Sequence, residues 1–428
     1  MSCQLACSRN AGTATAIVGR KRWLCPIRSG GTMNLLLAAI LFCSAASGAQ
    51  PAAIRTAELV EADNMFGLAV FDQLTTARPQ ENVFISPLSI AIALQMTAHG
   101  AAGATWDAMA GTMRVSGLPR SEVAAGNQRL REDLVNSDKA VRLGIANSLW
   151  LRKGVMLRKQ FADDCGKYYR ASVTTLDFAR PSAVTTINDW CSKNTNGRIK
   201  QIVSELKPEE ILVLVNAIYF KGTWTEKFDP KLTAPREFHL AAGSVQRQMM
   251  NREDKFRYKE NDAMQAVALP YGDERLNLYI FLPRDKDGLG KLINATKPEN
   301  FAALFAGFGE KKGTVVLPRF KLEYEQSLNK VLAQLGMGIA FTPGADFSGM
   351  VVPPATAAIS EVLHKTFVEV NEEGTEAAAV TAIKMLATAM PRQDEKFSFI
   401  CDHPFLCAIR DDVTGSILFL GAIYDPKQ

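Results

Sequence analysis

Ten consecutive residues without a charge, Ile211-Leu-Val-Leu-Val-Asn-Ala-Ile-Tyr-Phe220, stop at Lys221-Gly222. The run is rich in β-branched and aromatic types, which suit a pleated strand. No alternation of polar and apolar positions marks a wet face, so the run predicts a central strand covered on both sides. Such a strand needs a large core around it. The chain has 428 residues, 47% apolar and 22% charged, which suffices for that core and excludes disorder and collagen-like structure.

Leu59, Ala62, Phe66, Ala69 and Val70 recur at helical spacing through 57–77. Ser86-Pro87 opens a second helix, with Ser as its cap and Pro at the first helical position, and Gly100 closes it. Ile90, Ile92, Leu94 and Met96 make this helix apolar nearly all round, as expected of one inside the domain. Further strands are expected at 141–151, 276–282, 315–325, 362–370, 397–401, 405–410 and 416–423, the last two joined at Thr414-Gly415. Helices gather early and strands late, the pattern of an α+β domain with large antiparallel or mixed sheets. With no internal repeat, Gly/Ser linker or charge block, residues 50–428 read as one domain.

Residues 1–49 hold Arg9, Arg20, Lys21, Arg22 and Arg28 and no acid, then an apolar stretch at 35–42 and the small residues Ser47-Gly48-Ala49 before Gln50. This predicts a secretory signal peptide and a mature chain starting near Gln50, in the extracellular space or a periplasm. Met33 is an alternative start. The apolar stretch is too short for a membrane anchor, and Phe42 before Cys43 is too bulky for lipoprotein processing. Without the leader, 44 basic face 44 acidic residues, so no global field attracts phosphate backbones, and neither nucleic acid nor membrane is expected as a partner. Four cysteines then remain, Cys165, Cys191, Cys401 and Cys407. They are too few for a disulfide framework and lack the C-x-x-C spacing of a zinc site, and are read as buried thiols with one optional bridge.

Catalytic chemistry finds little material. There are four histidines, His99, His239, His364 and His403, and no HExxH, Walker loop or G-x-S-x-G. Gly336-x-Gly338 lacks the third glycine of a dinucleotide fingerprint, and Ser327-Leu-Asn-Lys330 matches S-x-x-K without an SDN or KTG partner. No catalytic residue, metal or cofactor is expected, and the enzyme reading is disfavoured.

The segment from Glu372-Glu373-Gly374 to Met390 is the unusual one. Its alanines favour a helix, yet at period two it reads otherwise. Thr375, Ala377, Ala379, Thr381, Ile383 and Met385 are all uncharged, while Glu376 and Lys384 fall on the alternate positions. The segment is thus suited to become a strand with one face buried. Small residues at the first inward positions would let it slide between two existing strands.

Here the sequence resembles the serpin family. The matching blocks are Asn82-Val-Phe-Ile-Ser86-Pro87-Leu-Ser89, Gly100-Ala-Ala-Gly103-Ala-Thr105, Asn147-Ser-Leu-Trp150, Val215-Asn216-Ala217 through Trp224, Leu269-Pro270-Tyr271, Ala345-Asp346-Phe347-Ser348-Gly349, Val362-Leu-His364-Lys365, and His403-Pro404-Phe405-Leu406 with Gly421. They stand in family order over essentially the whole mature chain.

The resemblance implies one α+β domain of three β-sheets and eight or nine helices, with an exposed reactive loop at about 372–393. It also implies a suicide inhibitor of serine proteases: the protease cuts the loop, and the freed hinge enters the large sheet as a new strand before the acyl-enzyme is hydrolysed. The hinge is carried over to Glu372, Gly374, Thr375, Glu376, Ala377, Ala378, Ala379, Val380 and Thr381, with Thr375 and Ala377 the first inward side chains to enter. Ser86, Ser89, Asn216 and His364 correspond to a polar cluster beneath the sheet that must part, and Trp224 to the aromatic at its top. The family's usual loop length from Glu372 puts the scissile bond at Thr388-Ala389, with neighbouring bonds such as Ala387-Thr388 chemically similar. The implied target is an elastase-like or subtilisin-like serine protease, held covalently by a monomer that forms loop–sheet polymers when destabilised. The alternative is a non-inhibitory member acting as carrier, chaperone or storage protein. Such members usually have bulky, charged or proline residues in the hinge, and 375–381 carries none of these at its inward positions.

Overall fold

From Leu212 on, the charge-free run lies in β4 (Leu212–Thr223), and its alternate residues serve two cores. Leu212, Leu214, Ile218 and Phe220 face the main core, while Val213, Val215, Ala217 and Tyr219 join a second cluster on the sheet's other face. With both faces dry, no position from Leu212 to Phe220 tolerates an unpaired charge. The structure, a computed structural model, describes residues 52–296, 298–375 and 396–428, all within one compact unit.

β4 stands in a six-stranded sheet of order β10 (Phe320–Ser327), β11 (Ile359–Asn371), β12 (Gly374–Thr375), β4, β2 (Val141–Arg152), β3 (Ser172–Leu176). β2 runs antiparallel along β4 from Leu151↔Leu212 to Val141↔Gly222, and β11 runs parallel to it from Ile359↔Leu212 to Phe367↔Tyr219. The second network has nine strands. Its order is β1 (Val83–Ile85), β15 (Ile417–Ile423), β14 (Phe405–Asp411), β8 (Leu276–Pro283), β7 (Met264–Tyr271), β6 (Ser244–Glu260), β9 (Gly309–Pro318), β13 (Phe397–Ile400), with β5 (Ala234–His239) also on β6. Two of the three expected sheets share the 17-residue β6, which pairs β5 through its first residues and β7 through its last, so they form one continuous ladder.

The expected strands are present with small shifts at their ends, except that the one at 315–325 is two. Pro318 closes β9 in one network and Phe320 opens β10 in the other, since a proline has no amide with which to continue a ladder.

Nine α-helices occur among the described residues, the last two of a single turn: α1 (Ala52–Ala77), α2 (Pro87–His99), α3 (Gly103–Thr112), α4 (Arg120–Val135), α5 (Lys159–Tyr169), α6 (Ser182–Asn194), α7 (Leu289–Ala295), α8 (Pro298–Phe301) and α9 (Asn329–Leu332). Ser86 caps α2 by accepting the Ser89 N–H, and every residue from Pro87 to Ala98 is buried. The helix packs against β4 of one network and β15 of the other. On the opposite face of the six-stranded sheet, Ile187 and Cys191 of α6 pack with Trp150, Val215 and Phe367. Cys165, Cys191, Cys401 and Cys407 are all buried free thiols, so the optional bridge is not formed.

Candidate functional site

β4 and β11 pair side by side as far as Tyr219 and Phe367, and above that point they part. The gap holds β12. Gly374 pairs with Asn371 on one side and Thr223 on the other, and Thr375 with Val370 and Gly222. The chain therefore doubles back: β11 ends at Asn371, Glu372 and Glu373 turn, and the next two residues enter the sheet antiparallel to the strand just left. Only glycine fits at 374, where φ is 145° and a Cβ would lie 2.0 Å from the Gly222 carbonyl oxygen.

Thr375 is fully buried, and its hydroxyl meets that of Tyr271 at 2.6 Å. The Tyr271 ring stacks on Trp224 with centroids 4.4 Å apart and meets Phe220 edge-on at 5.1 Å. Trp224 donates its indole N–H to the Asn371 carbonyl at 2.9 Å and its backbone N–H to that of Glu373 at 3.0 Å. Side chains fix the turn as well. Glu372 is ion-paired with Arg319 at 2.5 Å and accepts the Thr233 hydroxyl, while Glu373 pairs with Lys227.

Of the residues expected to form the hinge, Glu372, Gly374 and Thr375 thus gather beside Trp224. Glu376, Ala377, Ala378, Ala379, Val380 and Thr381 lie outside the described residues, as do Thr388 and Ala389 and the leader 1–49. One expectation needs correcting: Thr375 is not waiting to enter the sheet but is already inside it. Two backbone ladders, the Tyr271 hydroxyl and the ion pairs of the turn hold it there.

Lower on the same seam, His364 of β11 lies level with Asn216 of β4, and Asn216 with Asn147 of β2. The Ser86 N–H donates to His364 Nε2 at 3.2 Å, so the ring proton sits on Nδ1 and is donated to Asn216 Oδ1 at 2.6 Å. Asn216 Nδ2 donates in turn to Ser89 Oγ and to Asn147 Oδ1, both at 2.5 Å. Complete burial pushes the His364 pKa down to about 3, and the ring is neutral. Ser86, Ser89, Asn216 and His364 therefore lie in one hydrogen-bonded network. Asn147 belongs to it and was not named for it; its buried Nδ2 has no partner. Tyr271, Arg319, Thr233 and Lys227 were likewise not named, because their partners are far away in sequence and no local spacing connects them. The one available signal was Asn147 itself, a polar residue in the middle of an apolar strand.

The His364–Asn216 bond crosses the line along which β11 and β4 would separate. Among the described residues no group of three or more His, Cys, Asp or Glu side chains is placed to hold a metal.

These features define an α+β domain whose main sheet carries the start of its own loop as an additional strand. A family profile described as serpin (serine protease inhibitor) matches residues 61–426, and the chain belongs to the serpin family. An uncharacterized serpin-like protein of Thermococcus kodakarensis is 38% identical over 86% of each chain, and human serpin B8 is 37% identical over 86% of this chain and 100% of its own. Among solved structures, the thermophilic serpin tengpin in its native state matches with a TM-score of 0.78 at 29% identity, over 86% of this chain and 94% of its own. Human thyroxine-binding globulin, solved with bound thyroxine, matches with a TM-score of 0.80 at 26% identity, over 87% and 100%.

Proposed function

We propose that the protein is a secreted inhibitor that traps elastase-like or subtilisin-like serine proteases by inserting its cut loop between β11 and β4. The observation that carries this reading is β12, two residues of the loop's own chain already laddered between those strands. The target's serine attacks the Thr388 carbonyl carbon, the bond to the Ala389 nitrogen breaks, and the amine leaves with a proton from the protease's general acid. An ester then joins Thr388 to the protease. The residues after Thr375, no longer tied at their far end, extend β12 down the seam and carry the protease with them.

Roughly fifteen inserted residues, at about 1 kcal/mol net per backbone hydrogen bond, release on the order of ten kcal/mol. That rivals the whole stability of an ordinary domain, so the intact protein is a kinetic trap. The chain contributes no catalytic group of its own. It acts as a monomer, and polymers arise when the loop of one copy enters the sheet of another. A carrier function, as in thyroxine-binding globulin, is disfavoured by the small residues at the inward positions of 375–381.

Incubation with an elastase should yield a covalent complex that survives SDS; cleavage without complex would overturn the reading. Specificity has its own test. A trypsin-like pocket holds a buried carboxylate that Thr388 leaves unpaired, which disfavours productive attack. Wild type should barely inhibit trypsin and Thr388→Arg should inhibit it. A new amino terminus outside residues 387–391 in the released peptide would refute the bond assignment.

A further inference from the structure

On the outer face of the six-stranded sheet, a cavity of about 470 Å3 opens between the segment that follows α6 and the strands β10 and β11. One wall carries Arg198 and Lys200, the other Lys321, Lys365 and Phe367. The Arg198 guanidinium and the Lys321 ammonium both stand over the Phe367 ring, 5.7 and 5.6 Å from its centroid. Glu325 holds Lys365 at 2.8 Å, and Glu323 is the one acid in the lining. Four basic side chains and one acidic one thus line the cavity.

The two walls belong to opposite sides of the seam. Asn188 of α6 binds the segment, its Oδ1 accepting the Ile202 and Val203 N–H groups at 2.8 and 3.0 Å. α6 is in turn fixed to β2 and β3 through Trp190, which meets Trp150 edge-on and donates to Ser172 Oγ at 3.1 Å. Lys321, Lys365 and Phe367 stand on β10 and β11, across the line of separation. The walls already touch: the Lys365 ammonium donates to the Gln201 carbonyl at 2.8 Å, and the Arg198 guanidinium stands over the Phe367 ring.

We propose that this cavity binds a small molecule carrying several phosphate or sulfate groups, and that the bound molecule ties the two sides of the seam together and opposes loop insertion. Tetrahedral oxyanions present several acceptor oxygens to guanidinium and ammonium groups. Several of them on one frame reach cations on both walls, as one carboxylate does not. The second half of the proposal rests on the inhibitory reading. An inserted strand moves β11 away from β4 by one strand spacing, about 4.8 Å, and a ligand that spans the cavity then loses a wall. It must therefore prefer the intact protein, and it shifts the equilibrium only by that preference.

The test is titration calorimetry of the intact protein with sodium tripolyphosphate and, separately, sucrose octasulfate, at low salt and with sodium chloride of matched ionic strength as control. One-to-one binding is expected, and the tighter probe identifies phosphate or sulfate as the source. Exposed Lys200 and Lys321 can be changed without disturbing the fold, and Lys200→Gln with Lys321→Gln should weaken binding about tenfold or more. No binding, or binding that the double variant leaves intact, overturns the site and leaves the inhibitory reading untouched. Loop-cleaved protein should bind about tenfold or more weakly; equal affinity overturns the tie across the seam. If cutting the loop leaves the melting temperature unchanged, it is the inhibitory reading that fails, while the double variant still decides whether the cavity is a site.

Discussion

The upper and lower parts of the seam between β4 and β11 are held in different ways. At the top, Gly374 and Thr375 already separate the strands, with a ladder on each side, the Tyr271 hydroxyl on Thr375, and Trp224 and two ion pairs over the turn. From Phe367 down to Ile359 the strands meet directly, through one ladder and the buried His364–Asn216 bond. Under the proposed mechanism, insertion would continue a strand that is already begun rather than start one. The resistance to it would lie lower, where a ladder and a buried hydrogen bond would be exchanged for those of the incoming segment.

The largest effect should come from forcing the top of the seam open. Thr375→Arg places a charge where the native side chain is fully buried beside Tyr271, and an unpaired buried charge is not tolerated. The variant should expel β12 and behave as a substrate, its stoichiometry of inhibition against an elastase rising several-fold. An unchanged stoichiometry would mean that the upper seam has no part in trapping.

Acid should act on the lower seam instead. His364 is neutral in the fold with its pKa lowered to about 3 from 6.5, so the unfolded chain takes up the proton first. Its contribution is complete above about pH 6.5 and is lost as pH falls toward 3, reaching about 2 kcal/mol by pH 5. Urea unfolding of the intact protein should show this slope, and His364→Asn should flatten it. A slope that survives in the variant would assign the acid sensitivity elsewhere.

The smallest change is Tyr271→Phe, which removes one hydroxyl and leaves that of Thr375 without its partner. About 1 kcal/mol of stability should go. Amide exchange should quicken at Gly374 and Thr375 and stay the same across 212–218. Equal quickening in both places would contradict the separation of the two regions.

How much of this was legible beforehand follows from burial. β4 and α2 are dry on nearly every side, so their residues form unbroken apolar runs that no surface requirement interrupts. β5 and β6 were not legible, because each has a wet face and Asn251-Arg-Glu-Asp-Lys255 conceals the alternation of β6. The exposed sides of α4 and α5 hid them in the same way. The break at Pro318 could have been read from the proline, but the move of the chain from one network to the other could not, since both partners lie far off in sequence. The polar network was reached through family likeness alone, its members coming from α2 and three strands. Asn147 joins it only by lying opposite Asn216, a register that exists once the strands are paired.

The most direct test of the account is to cut the loop once between Ile383 and Met390 and compare the thermal unfolding of cut and intact protein. If the seam accepts the segment after Thr375 as a strand, the cut protein should melt well above the intact one, by about ten degrees or more for a gain on the order of ten kcal/mol. Equal melting temperatures would contradict insertion, and with it the trap, while leaving the fold as it stands.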